Sequence, residues 1–160
     1  LIEADAPMQD VLPSIYYANI DKYKGYHIRQ LCQEMHDFYK DRQVSTLQER
    51  LFLHDYFPEY VLNPQDANFE FQRGKGELVP LDEAEGRIAL EGALPYPPGV
   101  LCVQPGERWS KTACDYFLAL QEGINKLPGF APEIQGVYIT PQPDGTKKAY
   151  GYVLKKEFEK

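Results

Sequence analysis

The chain has little of what would tie it to a membrane, a metal or a nucleic acid. Its 160 residues include no apolar run long enough to span a bilayer core, which takes about 20 predominantly apolar residues, and no signal-peptide pattern opens it. Cysteine is scarce. Cys32, Cys102 and Cys114 form no C-x-x-C pair, which argues against a disulfide framework or a conventional structural zinc site and fits a reducing, cytoplasmic setting. Basic residues are outnumbered and scattered: the net charge is −7 and the pI near 5.0. A face for nucleic-acid phosphates needs clustered Lys and Arg, so a nucleic-acid partner is excluded. Gly74-Lys75-Gly76 lacks both the later glycine of a dinucleotide fingerprint and the Gly-Lys-Ser/Thr of a phosphate loop. No internal repeat and no low-complexity linker is present. An initiating Met is missing too: the chain begins at Leu1, and residues 1–13 carry no targeting logic. The expectation is the cut end of a longer polypeptide, although proteolytic processing or a designed terminus would look the same.

What is present is a globular composition, 43% apolar and 26% charged, with twelve tyrosines and eight phenylalanines. Aromatics bring large contact area, and exposed tyrosines are frequent at interfaces. Residues 1–160 are enough for one domain with its own core, and the chain is expected to fold unaided. After an extended entry at 12–17, Ile28, Leu31, Cys32, Met35, Phe38 and Tyr39 repeat at helical spacing to about Gln43. Within that helix Cys32 and His36 lie four apart, a two-ligand spacing with no further ligand nearby; a buried cysteine beside a partly exposed histidine is expected. Ser45-Thr-Leu-Gln48 reads as a capping box opening a second helix that Pro58 ends. Asn63-Pro64 reads as the N-cap and first position of a third, stopping at Gly74. Ser110 caps a fourth, terminated by Pro128-Gly129. Short strands are expected at 77–81, 87–90 and 100–103, and a hairpin joins 135–140 to 148–154 through Pro143-Asp144-Gly145. Helices and strands are segregated, which predicts an α+β single compact domain of about four helices, with a small antiparallel or mixed sheet and a C-terminal hairpin.

The densest backbone constraint lies in residues 86–107. There Pro95, Pro97, Pro98 and Pro105 alternate with Gly86, Gly92, Gly99 and Gly106 around two short apolar runs. Proline fixes φ and glycine permits turns other residues resist, so the pattern specifies one chain path. It reads as a rigid crossover between strands, or as a lip held against something else. Its polar members are Arg87, Glu91 and Tyr96. Arg87 and Glu91 are four apart and would share a face, and could pair as an internal salt bridge, if a strand extended that far. Alternatively Tyr96 and its prolines face another domain. Asp82, Glu83 and Glu85 form an acidic turn without calcium-loop spacing, expected to be solvated.

These residues also carry a resemblance. The 86–107 segment, the run from Ile20 to Asp37, Arg73-Gly74 with Glu77-Leu-Val-Pro80, and Leu127-Pro-Gly-Phe-Ala-Pro-Glu-Ile-Gln-Gly-Val-Tyr138 resemble, in order, the C-terminal domain of the bacterial Orn/Lys/Arg decarboxylases. Val100-Leu-Cys-Val103 and Phe130-Ala-Pro-Glu-Ile-Gln135 look most like the ornithine branch. The resemblance implies the C-terminal domain of a pyridoxal-phosphate lyase that converts ornithine to putrescine and carbon dioxide in polyamine biosynthesis. It implies the catalytic domain of the same polypeptide as partner, and a homo-oligomer of the full enzyme. In that family the lysine that holds the cofactor follows a histidine. Here His27, His36 and His54 are followed by Ile28, Asp37 and Asp55. Taken alone, the chain is therefore expected to be inactive, with no catalytic, cofactor-binding or metal residue of its own. Arg87, Glu91 and Tyr96 are left as active-site entrance or interface candidates. The alternative is a stand-alone binding or regulatory module without enzymatic activity.

Overall fold

The computed structural model describes residues 5–96 and 99–159; Pro97 and Pro98 of the crossover turn lie outside the described residues. Three short helices, α1 (Met8–Val11), α2 (Pro13–Ala18) and α3 (Ile20–Tyr23), fill the N-terminal stretch where an extended segment is predicted. Pro13 sits at the first position of α2, where the missing N–H is harmless. Met8, Tyr16 and Tyr23 recur seven or eight residues apart, a helical period. All three are buried, with Leu31, Phe38 and Leu127. The Tyr23 hydroxyl donates to the Pro128 carbonyl at 2.8 Å, so burial leaves no orphaned polar group.

The four longer helices correspond to the predicted ones: α4 (Ile28–Asp41), α5 (Val44–Arg50), α6 (Pro64–Gln72) and α7 (Lys111–Lys126). Two caps are as read from sequence. Asn63 accepts from the Asp66 amide at 2.9 Å, and Ser110 accepts from the Ala113 amide at 3.2 Å. Two readings are corrected. Cys32 is exposed rather than buried: the buried side of α4 is centred on Leu31 and Phe38, and each residue turns about 100° from the last, which carries Cys32 to the edge. The Ser45 capping box is not formed. Helix α5 begins two residues earlier, with Gln43 rather than Ser45 at the cap position and in the left-handed region at φ 52, because burying Val44 and Leu51 fixes its register. It also ends at Arg50, well before Pro58.

Strands β1 (Gly76–Pro80), β4 (Tyr138–Pro141) and β5 (Lys147–Leu154) form an antiparallel sheet in the order β1-β5-β4. The hairpin turn is closed by the Thr146 amide donating to Asp144 at 2.9 Å. A separate pair joins β2 (Leu94–Tyr96) to β3 (Glu133–Gln135). The predicted strands at 87–90 and 100–103 are not strands. The chain makes isolated bridges there instead, Ile88 with Arg108, Ala89 with Val153 and Ala93 with Val103. Its amides are nonetheless satisfied: Ala89 donates to Glu107, Leu90 to Tyr152 and Ala93 to Val103, at 2.8, 3.0 and 3.0 Å.

Helix α7 lies against β5 and buries eight residues, Tyr116 and Phe117 among them. Between them sits Trp109, 1% exposed, edge-on to Phe117 and over Gly151 of β5. A Cβ at Gly151 would meet Trp109 Cζ2 at 3.0 Å and Leu81 Cδ2 at 3.2 Å, so the indole approaches the sheet only because the residue beneath it is glycine. Gly151→Ala is expected to destabilise the purified chain by about 1–3 kcal/mol through overpacking. In a chain of this size that lowers the midpoint of thermal unfolding by several degrees. An unchanged midpoint in a calorimetric scan would show that the indole is free to shift.

Candidate functional site

Arg87 is the charged residue most deeply enclosed among the described residues. Its Nη2 donates to the Leu154 carbonyl at the end of β5 and to Glu77 of β1, both at 2.6 Å, and its Nε donates to Glu159 at 3.0 Å. Burial acts to lower the Arg87 pKa, and the bonds to Glu77 and Glu159 more than offset it, so the guanidinium stays above its ordinary range. Arg108 extends the network, with Glu59 at 3.0 Å and Glu159 at 3.6 Å. One cation thus pins the start of the crossover to the adjacent strands β1 and β5 and to the chain's last described residue. The pairing with Glu91 allowed for in the sequence is not made, because residues 87–90 are not a strand and the two side chains diverge.

Glu91 accepts instead from the Tyr138 hydroxyl at 2.7 Å. That bond, with partial burial and the carboxylate's charge added, pushes the Tyr138 phenol up to about 12. The ring of Tyr138 meets Tyr152 edge-on, and Tyr152 meets Phe71 in the same way.

Tyr96, at the end of β2, is half exposed. The Gly99 amide donates to the Pro95 carbonyl at 3.2 Å, and Gly99 holds φ +82 with the Tyr96 ring packed where its Cβ would stand. The turn therefore needs glycine there, and the ring in turn covers it. Pro95 and Tyr96 form one wall of a cleft of about 700 Å³, which faces Tyr39, Lys40 and Gln43 at the junction of α4 and α5, with Tyr116 and Leu120 of α7 lining its base. The Gln48 amide donates to the Tyr116 hydroxyl at 3.1 Å. None of the described residues lining the cleft is acidic. A second concavity, about 870 Å³, is more open; Asp5, Glu34, Asp37 and Asp41 face Arg29 and Lys126 there.

Burial pushes the Cys102 and Cys114 thiols up to about 11 and about 12, away from nucleophilic thiolate character. Among the described residues no three His, Cys, Asp or Glu side chains gather as metal ligands. Cys32 and His36 lie on the outer face of α4. Asp82 pairs with Lys148 at 3.1 Å in an exposed turn, and Lys75 of the Gly74-Lys75-Gly76 step pairs with Glu70. Sequence reasoning named Arg87, Glu91 and Tyr96 but not Glu77, Glu159 or Tyr138, since partners up to 72 positions away leave no local signal.

The sequence of residues 45–155 matches the family described as "Orn/Lys/Arg decarboxylase, C-terminal domain". The chain is 65% identical over 153 residues to an ornithine decarboxylase of Haemophilus influenzae, covering 96% of this chain and 21% of that protein. It is 58% identical to an inducible ornithine decarboxylase of Escherichia coli, covering 97% and 21%. The chain spans about a fifth of the length of these curated relatives. Among solved structures, lysine decarboxylase A from Pseudomonas aeruginosa superposes with a TM-score of 0.85 at 32% identity, covering 96% of this chain and 20% of that one. No helix among the described residues is long and apolar enough to cross a membrane.

Pyridoxal phosphate requires a lysine placed to condense with its aldehyde and a carboxylate near the pyridine nitrogen. The described residues do not fit it. Lys22, Lys75, Lys111 and Lys148 are held in ion pairs, Lys40 at the cleft is exposed, and the cleft offers no carboxylate.

Two outcomes follow. Arg87→Met should cost about 1–3 kcal/mol, because it leaves the Leu154 carbonyl without its donor and removes the cation that Glu77 and Glu159 share; denaturant unfolding of the purified chain measures it. A cost under about 0.5 kcal/mol, the range of an ordinary surface change, would show that the network braces nothing. Tyr138 should hold its proton in the folded chain after an unfolded tyrosine, near 10, has lost its own. Its contribution is thus fully present below pH 10 and lost as pH rises toward about 12. Glu91→Gln, which keeps an acceptor but removes the charge, should bring one tyrosine transition down in an ultraviolet titration. Superimposable titrations of variant and parent would contradict the assignment.

Proposed function

The chain belongs to the Orn/Lys/Arg decarboxylase family, as its C-terminal domain, and from that premise we propose that the intact enzyme decarboxylates ornithine to putrescine. The observation that carries this reading is the gap in similarity within the family. Ornithine decarboxylases are 57–65% identical to the chain, and the lysine decarboxylases 32–35%, over nearly the same residues. Pyridoxal phosphate, bound by the part of the polypeptide outside this chain, would supply the electron sink for loss of carbon dioxide. Residues 1–160 serve as a domain that packs on that part, contributes to subunit contacts in a homo-oligomer and shapes access to the site. A cytoplasmic location accords with three unpaired cysteines.

Within this reading Tyr96 works at the boundary with the catalytic domain. Support comes from its exposure at the lip of the cleft, beside the Gly99–Pro95 hydrogen bond. Arg87 and Glu91 act one step back: Arg87 anchors the crossover through Glu77 and Glu159, and Glu91 anchors it through Tyr138. The domain supplies no acid or base to the chemistry. It supplies a placed wall, which limits water and orients the approach of substrate.

In the intact enzyme, ornithine should be turned over with a kcat/KM well above that for lysine or arginine; equal values in steady-state kinetics would refute the substrate assignment. Tyr96→Ala should lower kcat/KM for ornithine by on the order of tenfold through misplacement of the entrance. Because the side chain is half exposed, stability should change by no more than about 0.5 kcal/mol. Unaltered turnover with a lowered melting midpoint would leave Tyr96 a purely structural residue.

A further inference from the structure

The segment following α5 is built in an unusual way for a free surface. Phe52, Leu53, Tyr56, Phe57 and Tyr60 are all exposed, by 39% to 60%. The four aromatic side chains among them each carry about 150–250 Å² when fully bared, so with Leu53 the segment leaves several hundred Å² of largely apolar side chain in contact with water. A soluble monomer rarely leaves a larger patch, and one of this size marks an interaction site. The segment is not loose. Leu51 is buried at one end, and Val61 and Leu62 pack on the third core cluster at the other. The amides of Tyr56 and Phe57 donate to Leu53 and His54 at 2.9 and 3.2 Å, and the Arg108 amide donates to the Glu59 carbonyl at 2.9 Å. The Arg108 guanidinium holds the Glu59 side chain as well and leads on to Glu159 and Arg87. The brace that fixes the crossover therefore also fixes this apolar ledge, and a fixed ledge loses little entropy on docking.

We propose that the 52–60 ledge is the surface by which this domain docks onto the rest of its own polypeptide, against an apolar face of the part that precedes it. This rests on the reading of the chain as one domain of a longer enzyme. Two observations choose that occupant. The relatives carry about four-fifths of their length outside the matched region, so a large body of chain exists to cover the ledge. A second copy of this domain is disfavoured, since it would bring together two chains that each carry a net charge of −7.

The test uses the intact enzyme. Under hydroxyl-radical labelling, Phe52, Tyr56, Phe57 and Tyr60 are expected to react as slowly as Tyr23 and Trp109, which are 0% and 1% exposed; labelling at the rate of freely exposed rings overturns the proposal. A photo-cross-linking amino acid in place of Tyr60 is expected to capture peptides from the preceding part of the same subunit, as judged in mixed isotope-labelled oligomers. Capture of this domain, or of any segment, from a second subunit overturns it. Phe57→Asp is expected to speed amide exchange at residues 53–57 by about tenfold in the intact enzyme, the loss of one interface anchor. Ornithine turnover by the unmodified enzyme is measured alongside. An active enzyme with a freely labelled ledge refutes the docking surface alone, and a protected ledge in an enzyme that does not turn over ornithine refutes the functional reading while upholding the docking surface.

Discussion

One buried cation organises the molecule. The Arg87 guanidinium reaches β1 through Glu77, the end of β5 through the Leu154 carbonyl and the C-terminal residues through Glu159. A cation held this far from water is tolerable only when its donors are used, and three polar partners use them. Each lies on a different stretch of chain, so their geometry forces those stretches together. The crossover that starts at Arg87 runs over the α7–β5 core as irregular backbone, and its order comes from this anchor, from Trp109 seated on Gly151, and from paired amides in place of a ladder.

From that anchor the functional surface follows by rigid connection. The crossover delivers Glu91 to Tyr138 and Tyr96 to the lip of the cleft. Arg108 carries the same charge network outward to Glu59 and the exposed ledge beyond it. Around the cleft and crossover, burial raises the Cys102 and Cys114 thiols, and the bond to Glu91 keeps the proton on Tyr138.

Much of this architecture is legible in the sequence where the governing physics is local. Ser110 and Asn63-Pro64 mark helix starts because a cap needs one side chain and one amide three residues on. Pro143-Asp144-Gly145 marks its turn for the same reason. The failures share one cause, which is tertiary contact overruling local pattern. Ser45 has the spacing of a cap, but burial of Val44 starts the helix sooner. Residues 87–90 have the composition of a strand, but they make only the isolated bridges of Ile88 with Arg108 and Ala89 with Val153. Cys32 fits the apolar repeat, yet nothing in the described residues packs over it. Of the site, Arg87, Glu91 and Tyr96 stand out as the polar members of a constrained segment. Their partners Glu77, Glu159 and Tyr138 are distant in sequence and follow only from the fold.

The most direct measurement is native-state amide exchange across the crossover in the intact enzyme. If Arg87 and its partners make residues 86–93 one unit with the sheet, the amides of Gly86, Ala89, Leu90 and Ala93, which donate to Trp109, Glu107, Tyr152 and Val103, exchange together with those of β5 and only by global opening. Exchange of these four amides by local fluctuation, while β5 remains protected, would contradict the brace and with it the rigid presentation of Tyr96.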